Sequence, residues 1–142
     1  MSTTMPLRFD DIQVGAELRP LVKGPLEKQQ FVEYGQAAMD ANPIHTDDEF
    51  AQQSGYKSVF AQGMLSMGFL GEMLVENAGV GRVKRFKVRF SRITWPGETI
   101  TCRGTVTRKY EENGEKLVDV DVRTETETGE LRIEGTATLI VS

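Results

Sequence analysis

The stretch from Asp40 to His45 holds three side chains that can move a proton on and off a water molecule. Asp40 contributes a carboxylate, Asn42 a side-chain amide, and His45 the only histidine of the chain. Histidine has an unperturbed pKa of about 6.5, and a nearby carboxylate can orient the imidazole or share its proton. Pro43 fixes its own φ angle and favours an extended Asn42, so the stretch is predicted to be a rigid turn. Such a turn can direct three polar groups to one point.

Other interpretations of this turn stay open on the residues alone. A lone histidine in a loop is often structural, and Asn-Pro pairs are ordinary turn starters. A calcium loop is disfavoured, because Ile44 stands at its third ligand position and Ala51 replaces the closing glutamate. One cysteine and one histidine are also too few for a zinc site built from the usual ligands. We expect neither a metal nor a cofactor.

Composition limits the class of protein. A chain of 142 residues is predicted to form a single domain, residues 1–142, with its own core. A net charge of -4 argues against nucleic-acid binding, and the polar N-terminus lacks the apolar segment of a signal peptide. The lone Cys102 shares a strand face with Ile100, Gly104 and Val106, which predicts a buried thiol and suits a reducing compartment. We therefore expect a cytoplasmic location.

Hydrophobic spacing predicts helices in the first half of the chain. Residues 25–38 suit a helix with Pro25 in its first turn, and 47–53 suit a short helical turn. Residues 63–77 are apolar around nearly the whole helix circumference, which indicates a buried helix. This helix is too short to span a bilayer. We expect its interior glycines, Gly68 and Gly71, to allow close approach of a neighbouring sheet.

Alternating apolar residues predict antiparallel strands in the second half. The alternation covers residues 86–90, 100–106, 118–122 and 133–141. Turns are predicted at Trp95–Gly97, Glu112–Gly114 and Thr128–Glu130. The apolar face of this sheet has only the buried helix to cover it. The sequence therefore predicts a sheet wrapped around that helix.

Four motifs in this order resemble the MaoC-like (R)-specific enoyl-thioester hydratases and dehydratases of the hot-dog fold, most closely the actinobacterial 3-hydroxyacyl-ACP dehydratase subunits. They are Asp40–His45, Ala61-Gln62-Gly63-Met64, Val88-Arg89-Phe90 and Pro96-Gly97-Glu98. The resemblance implies an α+β fold, in which an antiparallel sheet of about five strands wraps around a long buried helix. Two departures from the family pattern are the Ala38-Met39 pair before the aspartate and Gln62 in place of a histidine.

The resemblance also implies roles for individual residues. Asp40 and His45 correspond to the acid/base pair, and Asn42 to a residue that helps position the catalytic water. The backbone N–H of Gly63, at the start of the buried helix, is the expected oxyanion donor, and Met64 beside it is expected to contact substrate. Ser66 is expected to bond back to a helix carbonyl rather than to act in catalysis.

The carrier end of such a thioester is anionic and calls for basic side chains. Arg85, Lys87 and Arg89 share one strand face within a locally basic stretch from Arg82 to Arg92. A CoA phosphate or the acidic surface of an acyl carrier protein would suit this stretch. An ordinary solvated strand face, with lysine protecting a sheet edge, explains the same residues equally well.

Three functions therefore stay open. The first is hydration or dehydration of a trans-2-enoyl/3-hydroxyacyl pair carried by CoA or by acyl carrier protein. The second is a hot-dog thioesterase, and the third is a non-catalytic subunit that completes a partner's acyl tunnel. For each of them we expect a homodimer or a heterodimer with a related hot-dog subunit, and neither nucleic-acid nor membrane binding.

Overall fold

The structure, a computed structural model, describes residues 6–142 of the chain. Residues 1–5, the start of the N-terminal stretch that is predicted not to be a signal peptide, lie outside the described residues. Within residues 6–142 the chain forms three α-helices, five β-strands and two short 3₁₀ helices at Phe9–Asp11 and Pro43–His45. The α-helices and strands are, in chain order, β1 Leu21–Lys23, α1 Lys28–Ala38, α2 Asp48–Gln53, α3 Gly63–Ala78, β2 Val83–Phe90, β3 Ile100–Glu112, β4 Glu115–Thr126 and β5 Leu131–Val141.

The strands form one antiparallel sheet in the order β1-β3-β4-β5-β2. The four segments predicted from alternation are β2 to β5, each longer than the alternation alone indicated. Strand β1 was not predicted, because a run of three residues is too short to show a period of two. Asn113 and Gly114 join β3 to β4 with φ angles of 52° and 80°, the positive values that a two-residue hairpin turn requires.

Helix α3 lies in the concave face of the sheet and contacts all five strands. Its central residues Leu70, Met73 and Leu74 are fully buried. The inward-facing side chains of the sheet, such as Val120 and Leu139, complete the same core. The predicted sheet wrapped around one helix is therefore confirmed. In the part of the chain that the structure describes, no helix is long and apolar enough to cross a membrane.

The interior glycines of α3 do not have the predicted role. A Cβ atom at Gly68 would meet nothing within 4 Å, and one at Gly71 would lie 3.7 Å from the Phe86 ring, an ordinary contact. The close approach occurs instead at the first residue of the helix. A Cβ at Gly63 would lie only 3.0 Å from the ring of Phe90.

Helix α1 begins three residues later than predicted, at Lys28. Pro25 precedes it because Leu26 is held by the loop before β3. The Leu26 N–H donates to Glu98 O at 2.9 Å, and the Gly97 N–H donates to Leu26 O at 2.6 Å. The helix ends at Ala38, and the left-handed backbone of the C-cap residue Met39 (φ 57°) turns the chain into the Asp40–His45 stretch.

Cys102 is fully buried on the inner face of β3, as the sequence predicted. Burial, with a smaller contribution from the charge of Glu72, raises the pKa of this thiol to about 12. A thiol with so high a pKa carries almost no thiolate at neutral pH and is a poor nucleophile.

We expect the native chain to resist thiol modification for this reason. A disulfide-exchange reagent should label no cysteine under native conditions at pH 7, and one cysteine per chain after denaturation. Labelling can be counted by intact-mass measurement. Rapid, complete labelling of the folded chain would contradict the burial of Cys102.

Candidate active site

A cavity of about 350 Å³ lies between the Asp40–His45 turn, the start of α3 and the segment that follows β2. Its walls are mainly apolar, with a few polar groups that converge on the same space. The residues that line it are Asp40, His45, Phe60, Ala61, Gln62, Gly63, Met64, Ser66, Phe90, Ser91, Arg92, Ile93, Thr94 and Ile133. The cavity therefore combines the predicted acid/base pair with the predicted oxyanion residue.

Asp40 is held by the turn that ends α1. Its N–H donates to Gly35 O at 2.8 Å, and its Oδ1 accepts the N–H of Asn42 at 3.1 Å. A side chain at Gly35 would come within 2.9 Å of Asp40 O, so this close turn requires glycine. The Asp40 side chain is half-buried, and its second oxygen, Oδ2, has no hydrogen-bond partner among residues 6–142.

His45 ends the short 3₁₀ helix and is also half-buried. Its Nδ1 lies 2.7 Å from the carbonyl oxygen of Phe60. A carbonyl oxygen only accepts hydrogen bonds, so Nδ1 carries the proton and Nε2 of the neutral ring keeps its lone pair. The ring also packs edge-on against Phe60, with centroids 4.8 Å apart at 79°. The atom of His45 that can take a proton is therefore Nε2.

No hydrogen bond or ion pair joins Asp40 directly to His45 in the described chain. Each is instead fixed by backbone groups, Asp40 by Asn42 N–H and His45 by Phe60 O. Two proton-transfer groups that face one cavity without touching can both bind a water molecule or a substrate group between them.

Asn42 does not reach the cavity. Its side chain is exposed, and its Oδ1 accepts the N–H of Ile44 at 3.2 Å, which caps the 3₁₀ helix. In the structure, Asn42 therefore stabilises the turn and is not placed to hold a water molecule in the cavity. The sequence predicted that all three polar groups meet at one point. Asn42 does not, because its amide oxygen caps the short 3₁₀ helix.

The first turn of α3 presents unpaired backbone donors to the cavity. The side chain of the N-cap residue Gln62 does not cap the helix. The Gly63 N–H donates no hydrogen bond to any residue in 6–142. An uncapped helix N-terminus carries partial positive charge. Met64 lines the cavity too and is about half exposed, as a residue at the entrance would be.

Gln62 fastens α1 to α3. Its side chain is 2% exposed, and Nε2 donates to Phe31 O at 2.8 Å. This bond spans from the interior of α1 to the residue before α3, and so it fixes the Asp40 turn relative to Gly63. Gln62 therefore supplies a polar contact at the position where the family commonly has histidine.

The segment that orients His45 is itself fixed by Asp48. Asp48 Oδ1 accepts the N–H of Val59 at 3.0 Å, and Oδ2 accepts from Lys28 at 3.1 Å. The Val59 hydrogen bond, with the smaller contribution of Lys28, holds the pKa of Asp48 below its ordinary value. Since Val59 immediately precedes Phe60, this carboxylate stabilises the carbonyl that binds the imidazole.

An ion pair between the buried Arg132 and the partly buried Glu98 fixes the segment that follows β2. Arg132 makes two hydrogen bonds to the Glu98 carboxylate, at 2.6 and 2.7 Å, and a third at 2.5 Å to Ile93 O. Glu98 Oε1 also accepts the N–H of Trp95 at 2.7 Å. The glutamate of the Pro96-Gly97-Glu98 motif thus holds the cavity wall. Its partner Arg132 was not predicted, because it lies on β5, 34 residues further along the chain.

The predicted carrier-binding residues do not line this cavity. Lys87 and Arg89 project from β2 on the face opposite α3, where they line a groove of about 610 Å³ that has carboxylates but no histidine in its lining. Arg85 forms a long ion pair with Glu112. The basic residue of the Arg82–Arg92 stretch that does line the cavity is Arg92, 3.6 Å from Glu130. The density of basic residues indicated the right stretch of sequence. Which of these residues face the cavity depends on how the strand is paired and on the path of the chain after it.

Ser66 lines the cavity as well, which the sequence did not predict. The expected bond from its hydroxyl to a helix carbonyl is not formed, and the hydroxyl has no hydrogen-bond partner anywhere in residues 6–142. The prediction failed because the bond to a helix carbonyl was inferred only from the place of Ser66 inside a helix. Its spacing of four residues from Gln62 puts it on the same helix face, and this spacing could have indicated that it lines the cavity.

A five-stranded antiparallel sheet wrapped around one helix defines a hot-dog protein, and the cavity at the helix N-terminus holds the predicted acid/base residues Asp40 and His45. A family model described as "MaoC like domain" matches residues 11–129. The chain therefore belongs to the MaoC-like domain family, as the resemblance indicated.

Individual relatives agree with this family. The (R)-specific enoyl-CoA hydratase of Rhodospirillum rubrum is 33% identical over 135 residues, which cover 94% of this chain and 90% of that protein. The peroxisomal hydratase-dehydrogenase-epimerase of Neurospora crassa is 35% identical over 98 residues. That match covers 69% of this chain but only 10% of the longer protein.

Solved structures establish the fold. The unliganded R-hydratase PhaJ1 from Pseudomonas aeruginosa matches with a TM-score of 0.84 at 20% identity, over 96% of this chain and 86% of that one. The ChsH1-ChsH2 complex from Mycobacterium tuberculosis matches with a TM-score of 0.79 at 23% identity, over 92% of this chain and 98% of that one. The predicted hot-dog fold is thereby confirmed.

Proposed function

We propose that this chain catalyses (R)-specific hydration of trans-2-enoyl thioesters and the reverse dehydration of 3-hydroxyacyl thioesters. The observation that carries the proposal is that Asp40 and His45 face one cavity without touching each other. A water molecule bound by both would meet a carboxylate and a basic Nε2 at once. Membership of the MaoC-like family supports the reaction class, because the R. rubrum hydratase is related along nearly the whole chain.

The chemical step adds one water molecule across the α,β-double bond. The base removes a proton from the water as its oxygen bonds to Cβ, and a proton enters at Cα from the acid/base pair. Both transfers occur on one face of the substrate, because Asp40 and His45 serve the same cavity. Positioned acid/base groups of this kind contribute roughly 10² to 10⁴ in rate.

Negative charge develops on the thioester oxygen during this step. The unpaired Gly63 N–H at the positive end of α3 is the proposed donor to that oxygen. A donor preorganised in this way contributes about 3–4 kcal/mol to transition-state stabilisation. The lack of a side chain at Gly63 also leaves room for Phe90 to close over the helix start.

The direct test is an assay of the purified chain with trans-2-enoyl thioesters of increasing acyl length. We expect loss of enoyl absorbance and formation of the (R)-3-hydroxyacyl product, identified by chiral chromatography. Release of free thiol without loss of the enoyl group would instead identify a thioesterase. Activity that appears only with a second hot-dog chain, and survives Asp40→Asn, would identify a non-catalytic subunit.

The carrier is proposed to be an anionic group, either CoA phosphate or an acidic acyl carrier protein, that approaches past Arg92. We expect Arg92→Glu to raise KM for a CoA-linked substrate roughly 3- to 10-fold at low salt, and less at high salt, because exposed charges are screened. The double reversal Lys87→Glu/Arg89→Glu should raise KM less, through long-range steering.

A short thioester without phosphate groups is the matched control, and its KM should change little in either variant. If the double reversal has the larger effect, the outer face of β2 binds the carrier. Unchanged KM values at low salt in both variants would favour a solvated surface without a binding role.

We also propose that the chain works as a dimer. The sheet has two edges, and β2, with eight residues, offers a far longer open edge than β1, with three. Pairing through β2 would join two sheets into one and enclose the active-site region. The basic side chains of β2 favour a partner edge of lower positive charge, so a heterodimer with a related hot-dog chain remains part of the proposal.

Light scattering at micromolar concentration tests this expectation. A homodimer that uses β2 should strengthen as salt is added, because salt screens repulsion between the two basic edges. A stable and fully active monomer would contradict the dimer. An inactive homodimer rescued by a second hot-dog chain would identify the heterodimer.

A further inference from the structure

Ser66 is a buried polar residue that the chemistry above does not use. The residue is 2% exposed, and its hydroxyl forms no hydrogen bond with residues 6–142. Among these residues the fully enclosed side-chain atoms without a partner are Gln62 Oε1 and Thr124 Oγ1, so the Ser66 oxygen is unpaired but still reaches the cavity surface. A polar group in so sheltered a position normally has a hydrogen-bond partner. Ser66 lines the cavity, so a bound molecule is the available source of a partner.

Helix geometry puts Ser66 on the same face of α3 as Gly63, one turn further along the helix. Ser66 follows Gly63 by three residues, and residues at this spacing share a helix face. Helical side chains lean towards the N-terminus, so the Ser66 hydroxyl lies over the turn that begins at Gly63. Gly63 has no side chain to separate the two donors, and both residues line the same cavity.

The chemistry of the surroundings limits what the hydroxyl can bind. Phe60, Phe90 and Ile133 form apolar walls of the cavity. The neighbouring amide of Gln62 already donates one Nε2 hydrogen to Phe31 O, and its buried Oε1, which has no partner in residues 6–142, is an acceptor and cannot bind a carbonyl oxygen. Of the substrate groups near the double bond, the thioester carbonyl is the strong acceptor.

We propose that the Ser66 hydroxyl is the second donor to the thioester oxygen, acting together with the Gly63 N–H as Cα and Cβ are hydrated or dehydrated. This inference rests on the proposed enoyl-thioester chemistry and adds a catalytic residue to it. Two donors on one oxygen stabilise the charge that develops in the transition state more than they stabilise the neutral carbonyl of the bound substrate.

Kinetics provide the first test. Ser66→Ala should lower kcat roughly 10- to 10²-fold and change KM less than about 3-fold, because the lost interaction is strongest in the transition state. Ser66→Thr, which keeps the hydroxyl, should retain most of the activity. Ser54→Ala makes the same change at an exposed helix end and should have no effect.

The carbonyl stretching frequency of a bound enoyl thioester provides the second test, measured by difference infrared spectroscopy. An Asp40→Asn background slows turnover, so the enoyl substrate remains intact. Binding should lower the frequency through two donors, and adding Ser66→Ala should reverse part of that shift while Gly63 retains the rest. A merely structural role for Ser66 would not move this signal.

The two tests separate this inference from the proposed function. If the native chain hydrates enoyl thioesters but Ser66→Ala leaves both kcat and the carbonyl frequency unchanged, the Ser66 assignment is wrong and the function stands. A change in acyl-chain selectivity with an unchanged frequency would also overturn it, because the hydroxyl would then face the acyl chain. If the native chain neither binds nor hydrates enoyl thioesters, both the proposed function and the role of Ser66 are wrong.

Discussion

Asp40→Asn and His45→Gln are each expected to lower kcat/KM for enoyl-thioester hydration by roughly 10²-fold or more. Asp40→Asn removes the carboxylate charge but can keep the Oδ1 contact to Asn42 N–H, and His45→Gln removes the basic Nε2. Because both side chains are half-buried and anchored by backbone groups, the turn should keep its shape. The measurement is steady-state kinetics with circular dichroism as the check of folding.

The double variant distinguishes a concerted pair from two independent groups. If Asp40 and His45 hold the same water, the double variant should be little worse than the worse single variant. Asp121→Asn, an exposed carboxylate on the outer sheet face, is the matched control and should retain full activity. Near-full activity in both single variants would show that the site is assigned wrongly.

Arg132→Met is expected to destabilise the fold by about 3 kcal/mol, because it removes a buried guanidinium and leaves the partly buried Glu98 carboxylate without its charged partner. The pair is 7% exposed at the arginine side chain and 25% at the glutamate, and it also anchors Ile93, which lines the cavity, and Trp95, two residues further on. Urea denaturation at neutral pH measures the change in the free energy of unfolding.

An exposed ion pair on the same sheet provides the comparison for Arg132. Arg85→Met breaks a contact of 3.9 Å between two largely exposed side chains and should cost no more than about 1 kcal/mol. Equal losses of stability in the two variants would show that burial of the Glu98–Arg132 pair has no special importance.

The pH dependence of the stability of Arg132→Met gives a second test of this ion pair. Burial raises the pKa of Glu98, but hydrogen bonds from Arg132 and Trp95 N–H and the charge of Arg132 outweigh it and lower the pKa overall. A lowered pKa in the folded state adds stability above the unfolded value of about 4.3, and this stability is lost as pH falls through the folded value. The difference in stability between the native chain and Arg132→Met should therefore narrow in acid. A constant difference would mean that Glu98 does not couple to Arg132.

The sequence predicted those parts of the fold that repeat along the chain. Period-two alternation identified β2 to β5, and the apolar circumference of residues 63–77 identified α3, because both patterns arise from burial of one face or of the whole element. The start of α1 was misplaced because Leu26 pairs with residues some 70 positions away. Backbone pairing at that distance leaves no local pattern.

In the candidate site, too, the sequence predicted what depends on local residues and missed what depends on distant ones. Asp40 and His45 are brought to one cavity by a local turn, and local turns are encoded by short motifs. Arg132, Arg92 and Ser66 owe their positions to the register of β5, to the path of the chain after β2 and to the orientation of α3. These are tertiary properties, so residue spacing alone could not predict them.

The aromatic contact between Phe60 and Trp95 gives the molecule its own optical signal. Trp95 is the only tryptophan in the chain, and its ring centroid lies 5.9 Å from that of Phe60, whose carbonyl binds His45. Lys57 Nζ lies 4.3 Å from the same indole. A molecule that enters the cavity and shifts Phe60 will alter the surroundings of this single fluorophore. Intrinsic emission can therefore follow occupancy of the site in catalytically inactive variants, without a label and without turnover.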